Sequence, residues 1–285
     1  MRQIFDQQRV RQAFDKAADS YDEAAVLQKE VCKRLLEKLD VVNLSPEWIL
    51  DAGTGTGEAV KPLQKKYKKA EVVLLDLSEA MLHKSVKQGV LFRKPHQVCG
   101  NIEALPFADQ SFDLLFSNLA MQWCNDLGAA LTEFKRVLKP GALLHFATFG
   151  PDTLKELRTS WQKVDAAVHV NSFIDMHDIG DALLQAGFAE PVMESEIITV
   201  NYKKIDTLMQ DLRDIGANVT ANGHRQGLLT RNMLKKLREA YEVYRKSNVL
   251  PASYEIVYGH AWVAEAGDKN AGRNIEVAFT SQYVR

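Results

Sequence analysis

The sequence predicts an α/β protein with a doubly wound, mostly parallel sheet. Three observations carry that expectation. Short apolar runs alternate with helical stretches from Trp48 to Phe149. The first run, Trp48 to Leu50, ends in an acid and three alternate glycines, Asp51-Ala52-Gly53-Thr54-Gly55-Thr56-Gly57. The second run, Val72 to Leu75, ends in Asp76. Alternation of this kind buries a parallel sheet between two helical layers. Glycine lets a strand-to-helix turn take positive φ and approach a ligand closely. An acid at the tip of the second strand commonly holds the ribose hydroxyls of an adenine nucleoside.

The elements follow in order. Helices are expected over 6–18 and 24–39, where Leu27, Val31, Leu35 and Leu39 recur every fourth residue and form one apolar face. Asn43-Leu44-Ser45-Pro46 breaks that pattern. Strand 48–51, helix 57–67, strand 72–76, helix 79–88, strands 96–99 and 112–117, helix 126–138 and strand 143–149 come next. Lys139-Pro140-Gly141 is a stop signal after the helix that ends at Leu138. Beyond Gly150, helices at 153–167 and 178–186 precede a strand near 192–200. Helical stretches 206–215 and 230–246 then interrupt the sheet pattern before Tyr254-Glu255-Ile256-Val257-Tyr258.

If both flanking strands join the main sheet, those two helical stretches form an insertion over its edge. The expected division is lid helices over 1–45, a cofactor-binding core over 46–200, a helical lid insertion over 201–250, and a final strand and tail over 251–285. Ligands bind outside the carboxyl ends of the strands, so a lid belongs there. A separate helical interaction module is the alternative. The tail, with Gly267, Gly272 and several polar residues, is expected to be loosely ordered.

Bulk properties exclude several classes. A chain of 285 residues can bury a sizeable core. A net charge of −1 draws it to no nucleic acid. Cys32, Cys99 and Cys124 form no C-x-x-C pair, which argues against zinc and fits a reducing compartment. The histidines show no metal-ligand spacing, so no metal is expected. No apolar run approaches membrane-spanning length. The segment Met1-Arg2-Gln3-Ile4-Phe5-Asp6 lacks the apolar stretch of a signal peptide. A cytoplasmic enzyme without nucleic-acid or membrane partners is the expectation.

The glycine spacing narrows the ligand. A dinucleotide fingerprint is G-x-G-x-x-G around a pyrophosphate. Here the spacing is Gly53-x-Gly55-x-Gly57, opened by Asp51. A carboxylate there would repel a pyrophosphate but suits a cation such as the ammonium of S-adenosylmethionine.

Later segments carry a family resemblance. Asn101-Ile102-Glu103-Ala104-Leu105-Pro106-Phe107 resembles the adenine-contact segment of class I S-adenosylmethionine-dependent methyltransferases, with Asn101 where that family usually has an acid. Ser111-Phe112-Asp113-Leu114-Leu115-Phe116-Ser117-Asn118 resembles their fourth strand, and Arg136-Val137-Leu138-Lys139-Pro140-Gly141 the turn into their fifth. The resemblance implies a Rossmann-like methyltransferase sheet with a helical lid and S-adenosylmethionine as cofactor. The cofactor contacts it implies are Asp51, Gly53, Gly55, Gly57 and Asp76, then Leu77, Met81, Asn101, Ile102, Glu103 and Ser117.

A closer resemblance lies outside the cofactor core. Phe14-Asp15-Lys16-Ala17-Ala18-Asp19-Ser20-Tyr21-Asp22, Ser117-Asn118-Leu119-Ala120-Met121-Gln122-Trp123-Cys124 and Asp211-Leu212-Arg213-Asp214-Ile215-Gly216-Ala217-Asn218 resemble the malonyl-acyl-carrier-protein O-methyltransferases of biotin synthesis. His169-Val170-Asn171-Ser172-Phe173 and Leu229-Thr230-Arg231 add to it. The implied reaction is methyl transfer to the free carboxylate of a malonyl thioester on acyl carrier protein or coenzyme A.

That carboxylate is ionised at pH 7, so no general base is needed. The protein must align oxygen, carbon and sulfur and exclude water. Tyr21 is the first candidate positioner, with Gln122 and Trp123 lining the reacting pocket. Arg213, Arg225 and Arg231 are candidates for a bidentate clamp on the carboxylate, and each is alternatively a solvated surface charge. His224 is a further candidate for approach to the substrate. Residues 224–246 are rich in base, including Lys235, Lys236 and Arg238, which suits an acidic carrier; a solvated helix face is the alternative. Two other functions stay open: a methyltransferase for another small molecule or quinone, and a cofactor-binding assembly factor acting on a protein partner.

Overall fold

The computed structural model describes residues 4–217, 219 and 230–265. Helix α1 (Gln7–Ala17) starts at Asp6, whose carboxylate accepts from the amides of Gln8 and Arg9 and so caps the first turn. A single turn, α2 (Tyr21–Ala24), leads into α3 (Val26–Lys38). Leu27, Val31 and Leu35 are buried on α3, and Leu39 in the tight turn that ends it.

Seven strands form one sheet: β1 (Trp48–Ala52), β2 (Glu71–Asp76), β3 (His96–Cys99), β4 (Phe112–Asn118), β5 (Leu138–Phe149), β6 (Ala189–Tyr202) and β7 (Leu250–Trp262). Their order is β3-β2-β1-β4-β5-β7-β6. The first five are parallel, and β7 runs antiparallel to both of its neighbours. Connections carry α4 (Val60–Lys66), α5 (Glu79–Ser85), α6 (Leu127–Val137), α7 (Lys155–Gln162) and α8 (Met176–Gln185). The loop from β6 to β7 carries α9 (Ile205–Asp214) and α10 (Arg231–Tyr241).

The central strands β1, β2, β4, β5 and β7 are buried on both faces, and the edge strands β3 and β6 are partly exposed. Ile49, Leu114 and Phe116 meet Leu35 of α3 in one core; Leu50, Leu115 and Phe146 meet Phe134 of α6 in the other. Each such side chain contributes about 1.5–3 kcal/mol relative to exposure. This double burial is what makes the strands read as unbroken apolar runs.

Four elements differ most from the sequence expectation. β5 begins at Leu138 rather than 143, because Lys139-Pro140-Gly141 lies inside the strand. Phe112 pairs with Leu138, the register then shifts, and Leu114 pairs with Leu143. Gly141 takes φ 76° there, a backbone that favours glycine. β6 and β7 are much longer than expected, since they pair with each other from Ala189↔Trp262 to Tyr202↔Leu250. Helix 230–246 ends at Tyr241, and a short 3-10 turn follows over Glu242–Tyr244.

Because β6 and β7 both belong to the sheet, residues 203–249 leave and re-enter it from one hairpin. Leu208, Leu237 and Tyr241 pack this insertion onto the core. The Arg238 guanidinium spans both oxygens of Asp206, at 2.6–3.2 Å, and ties α10 to α9. Among the described residues no helix is long and apolar enough to cross a membrane.

Candidate cofactor and substrate site

A crevice lies at the carboxyl ends of β1, β2 and β4. The glycine turn forms its floor. Gly53 and Thr54 donate their amides to Leu75 O at 2.8 and 3.0 Å, and Gly55 donates to Asp76 Oδ2 at 2.8 Å. Gly53 has φ 78°, and a Cβ there would collide with that of Ala120, so only glycine fits. Asp76 Oδ1 accepts from Ser78 N at 2.8 Å. Asp51 is buried and accepts the Thr54 hydroxyl at 2.6 Å.

Both acids line the crevice, and both hold their protons unusually well. Burial raises Asp51 to about 7, against the Thr54 hydrogen bond, and the nearby Asp76 adds to the rise. Burial raises Asp76 to about 6, opposed by the amides of Ser78 and Gly55. Desolvated carboxylates of this kind favour a cationic ligand.

Leu77, Met81, Asn101 and Ile102 form the far wall of the same crevice. The Asn101 side chain closes its own turn, accepting from Glu103 N at 2.9 Å. Three expected contacts do not line it. Gly57 donates to Thr54 O to close the turn, and its Cα packs toward the backbone of Ser85. Ser117 is fully buried and donates to Ala52 O at 2.8 Å, pinning β4 to β1. The Glu103 carboxylate accepts from Asp126 N at 2.7 Å and Gln7 Nε2 at 3.4 Å.

The N-terminal helices roof the crevice through Gln7, Val10, Phe14 and Tyr21. Side-chain bonds hold them, among them Ser78 Oγ to Asp15 Oδ1 at 2.5 Å and Thr56 Oγ1 to Asp22 Oδ1 at 2.6 Å. A second cavity adjoins the first, lined by Thr153, His169, Asn171 and Tyr254 among others. Tyr21 and Trp123 line both. Burial, then Asp76 and Asp22, push the Tyr21 hydroxyl pKa up, so it stays protonated. Trp123 meets Phe14 edge-on at 5.3 Å and Phe5 at 5.4 Å. Of these two cavities Gln122 lines the second, with its amide fixed by Leu119 O at 2.5 Å and the Thr148 hydroxyl at 3.2 Å.

The insertion reaches this second cavity through Leu212 and Ile215. Among the described residues it does not line the cofactor crevice, which the N-terminal helices cover instead. Two of the three clamp candidates lie on the surface. Arg213 is exposed and donates to Gln210 Oε1 at 2.7 Å; Arg231 is exposed at the start of α10. Neither lines the crevice or the adjoining cavity. His224 and Arg225 lie outside the described residues. Among the described residues no group of three or more His, Cys, Asp or Glu could hold a metal ion.

Sequence reasoning missed Gln28, Lys29 and Asn118, all in the crevice wall. Asn118 is the last residue of β4, and a polar end to an apolar strand was the available signal. Gln28 and Lys29 sit on α3, where only the apolar face is legible from spacing.

The sheet order, the glycine turn and the acid ending β2 define a class I S-adenosylmethionine-dependent methyltransferase. Residues 50–146 match the family model described as a methyltransferase domain. The chain is 49% identical over 265 residues to a malonyl-[acyl-carrier protein] O-methyltransferase of Gallionella capsiferriformans, covering 91% of each. It is 48% identical over 269 residues to one from Methylovorus, covering 92% of this chain and 91% of that one. The chain belongs to the malonyl-acyl-carrier-protein O-methyltransferase family. The fold is also that of a Bacillus halodurans putative methyltransferase, with TM-score 0.58, 19% identity and coverage of 80% and 97%. A Haemonchus contortus phosphoethanolamine N-methyltransferase solved with S-adenosyl-L-methionine shares it, with TM-score 0.53, 14% identity and coverage of 88% and 57%.

Proposed function

We propose that this chain transfers a methyl group from S-adenosylmethionine to the free carboxylate of malonyl-acyl-carrier protein in the cytoplasm. The product is the methyl ester used in biotin precursor synthesis. The observation that carries this reading is the place of Tyr21, which lines both the acid-floored crevice and the adjoining cavity. A donor in one and an acceptor in the other meet at that side chain.

The cofactor supplies an electrophilic methyl group on a sulfonium. Asp76 takes the ribose hydroxyls, and Gly53 and Gly55 let the backbone come close. Leu77, Met81, Asn101 and Ile102 hold the adenine. The malonyl carboxylate arrives ionised, so the protein moves no proton; it orients and dries the site. The protonated Tyr21 hydroxyl donates to the carboxylate and sets its line of approach. Trp123 excludes water, and the fixed Gln122 amide shapes the acceptor side. The N-terminal helices and the insertion together act as the lid.

The test is methyl transfer by the purified protein to malonyl-acyl-carrier protein, followed by the mass of the carrier. A gain of one methyl group is expected. No gain on malonyl thioesters, together with methylation of free phenols or quinols, would transfer the chain to the small-molecule class.

A further inference from the structure

We propose that Lys29 and Asn118 recognise the amino-acid end of the methyl donor, Lys29 pairing with its carboxylate and Asn118 Oδ1 accepting from its ammonium beside Asp51. The proposal rests on the reading of S-adenosylmethionine as donor.

The placement follows from the sheet. β1 and β4 are parallel neighbours with Asp51 opposite Phe116. Asn118 lies two residues beyond Phe116, so its side chain leaves the same face as that of Asp51. Helix α3 covers this face, and Gln28 and Lys29 are adjacent on it. The Asn118 side chain donates Nδ2 to Gln28 O at 3.2 Å. Only the nitrogen can make that bond, which assigns the amide orientation. Its oxygen is then buried with no hydrogen-bond partner in the structure. A buried acceptor left unmade is costly, and native structures rarely keep one without reason. Asn118 lines the crevice, so a ligand donor can reach that oxygen.

Charge identifies the other half. Among the described residues that line the crevice, Lys29 is the single cation, against Asp51, Glu58 and Asp76. Its Nζ donates to Asp22 O at 2.6 Å, which holds the ammonium near the glycine turn. The adenosine end of the ligand is drawn to Asp76, Asn101 and Met81. The opposite end therefore meets Lys29, Asn118 and Asp51. The donor carries one anionic group, the carboxylate of its amino-acid tail, and one ammonium beside it. A cation and two acceptors match that pair.

Two ligands isolate the tail. S-adenosylhomocysteine and 5′-methylthioadenosine share the adenosine and a thioether, but only the first has the amino acid. Calorimetry on Lys29→Met and Asn118→Ala should show about tenfold or greater loss of affinity for S-adenosylhomocysteine, the scale of one charge-assisted bond. Affinity for 5′-methylthioadenosine should stay within about twofold of wild type, which also reports a folded crevice. Decarboxylated S-adenosylhomocysteine separates the roles: Lys29→Met should bind it as wild type does, and Asn118→Ala should not. Lys29→Arg should recover most of the loss. Equal losses on all three ligands, or unchanged affinity for S-adenosylhomocysteine, would overturn the proposal. Wild-type protein that binds none of them would overturn the donor reading itself.

Discussion

The Thr56 hydroxyl donates a 2.6 Å hydrogen bond to Asp22 Oδ1, so the residue next to Tyr21 is fastened to the glycine turn. Asp15, on the preceding helix, takes the Ser78 hydroxyl in the same way. Tyr21 thus sits between two bonds that reach the two loops of the crevice floor. Its position is set by the glycine turn, which is what alignment of a methyl group on that turn would require.

Tyr21→Phe should lower kcat and kcat/KM together, by about tenfold, and leave cofactor affinity within about twofold. An interaction felt mainly in the transition state behaves this way. Steady-state kinetics with malonyl thioester, beside calorimetry with S-adenosylhomocysteine, separates the two. Full kcat in the variant would remove Tyr21 as a positioner.

Asp76→Ala should weaken cofactor binding by about tenfold or more, given roughly 1.5–3 kcal/mol for a hydrogen bond to a charged group. The change also strands the amides of Gly55 and Ser78, so Asp76→Asn is the gentler control. Calorimetric titration decides it, and an unaltered affinity would refute the ribose assignment.

Cofactor affinity should depend on pH. Asp51 near 7 and Asp76 near 6 are both raised above an ordinary carboxyl. A cation favours their ionised forms, so its binding lowers both values and releases protons. Affinity should therefore fall as pH drops from about 8 to about 6, by a few-fold to tenfold. Titration in two buffers of different ionisation heat measures the released protons; none released would mean the acids are already ionised without the ligand.

His145 should make stability acid-sensitive. It is buried, Nε2 donates to Leu35 O at 2.8 Å, and burial pushes its pKa down to about 4. The folded value lies below the unfolded one of 6.5, so the unfolded chain takes up the proton first. The contribution is complete above pH 6.5 and is lost as pH falls toward 4, on the order of 3 kcal/mol in all. Urea midpoints at about pH 7.5 and about pH 5 should fall less for His145→Gln than for wild type. Equal falls would place the acid sensitivity elsewhere.

Lys235 and Lys236 are exposed on α10, and among the described residues Lys235 pairs with Glu239 at 3.9 Å. Arg238 on the same helix is committed to Asp206 and serves the fold. Neutralising the two lysines should slow association with malonyl-acyl-carrier protein and flatten its salt dependence. Turnover of a small malonyl thioester should hardly change. Equal loss on both substrates would tie the charges to the fold or site, and no loss on either would leave a solvated helix face.

Much of the fold was legible because double burial makes strands into apolar runs with sharp ends. Trp48–Ala52, Glu71–Asp76 and Phe112–Asn118 all fall within a residue of expectation. β5 was misjudged because Pro140 and Gly141 look like a stop, and only the pairing with β4 turns them into a bulge. The floor of the crevice was legible for the same local reason: a turn of this shape needs glycine. The helices over 1–45 read as part of a lid, but Gln7, Val10 and Phe14 as individual roof residues and the amide of Asn118 were not legible, since their neighbours come from α1 and α3 across the molecule. Arg213 and Arg231 show the converse. Charge in a sequence has magnitude but no direction, and both side chains lie on the surface.

Tyr202 and Leu250 face each other as the last pair of the β6–β7 hairpin. Everything from 203 to 249 is therefore a detour whose two ends already touch. Exchanging such a detour for one of another length costs little in chain entropy, because closure depends only weakly on loop length. A replacement would have to keep the packing that Leu208, Leu237 and Tyr241 make on the core. The insertion can thus drift in length and sequence while the crevice at the ends of β1 and β2 keeps its own turns and hydrogen bonds.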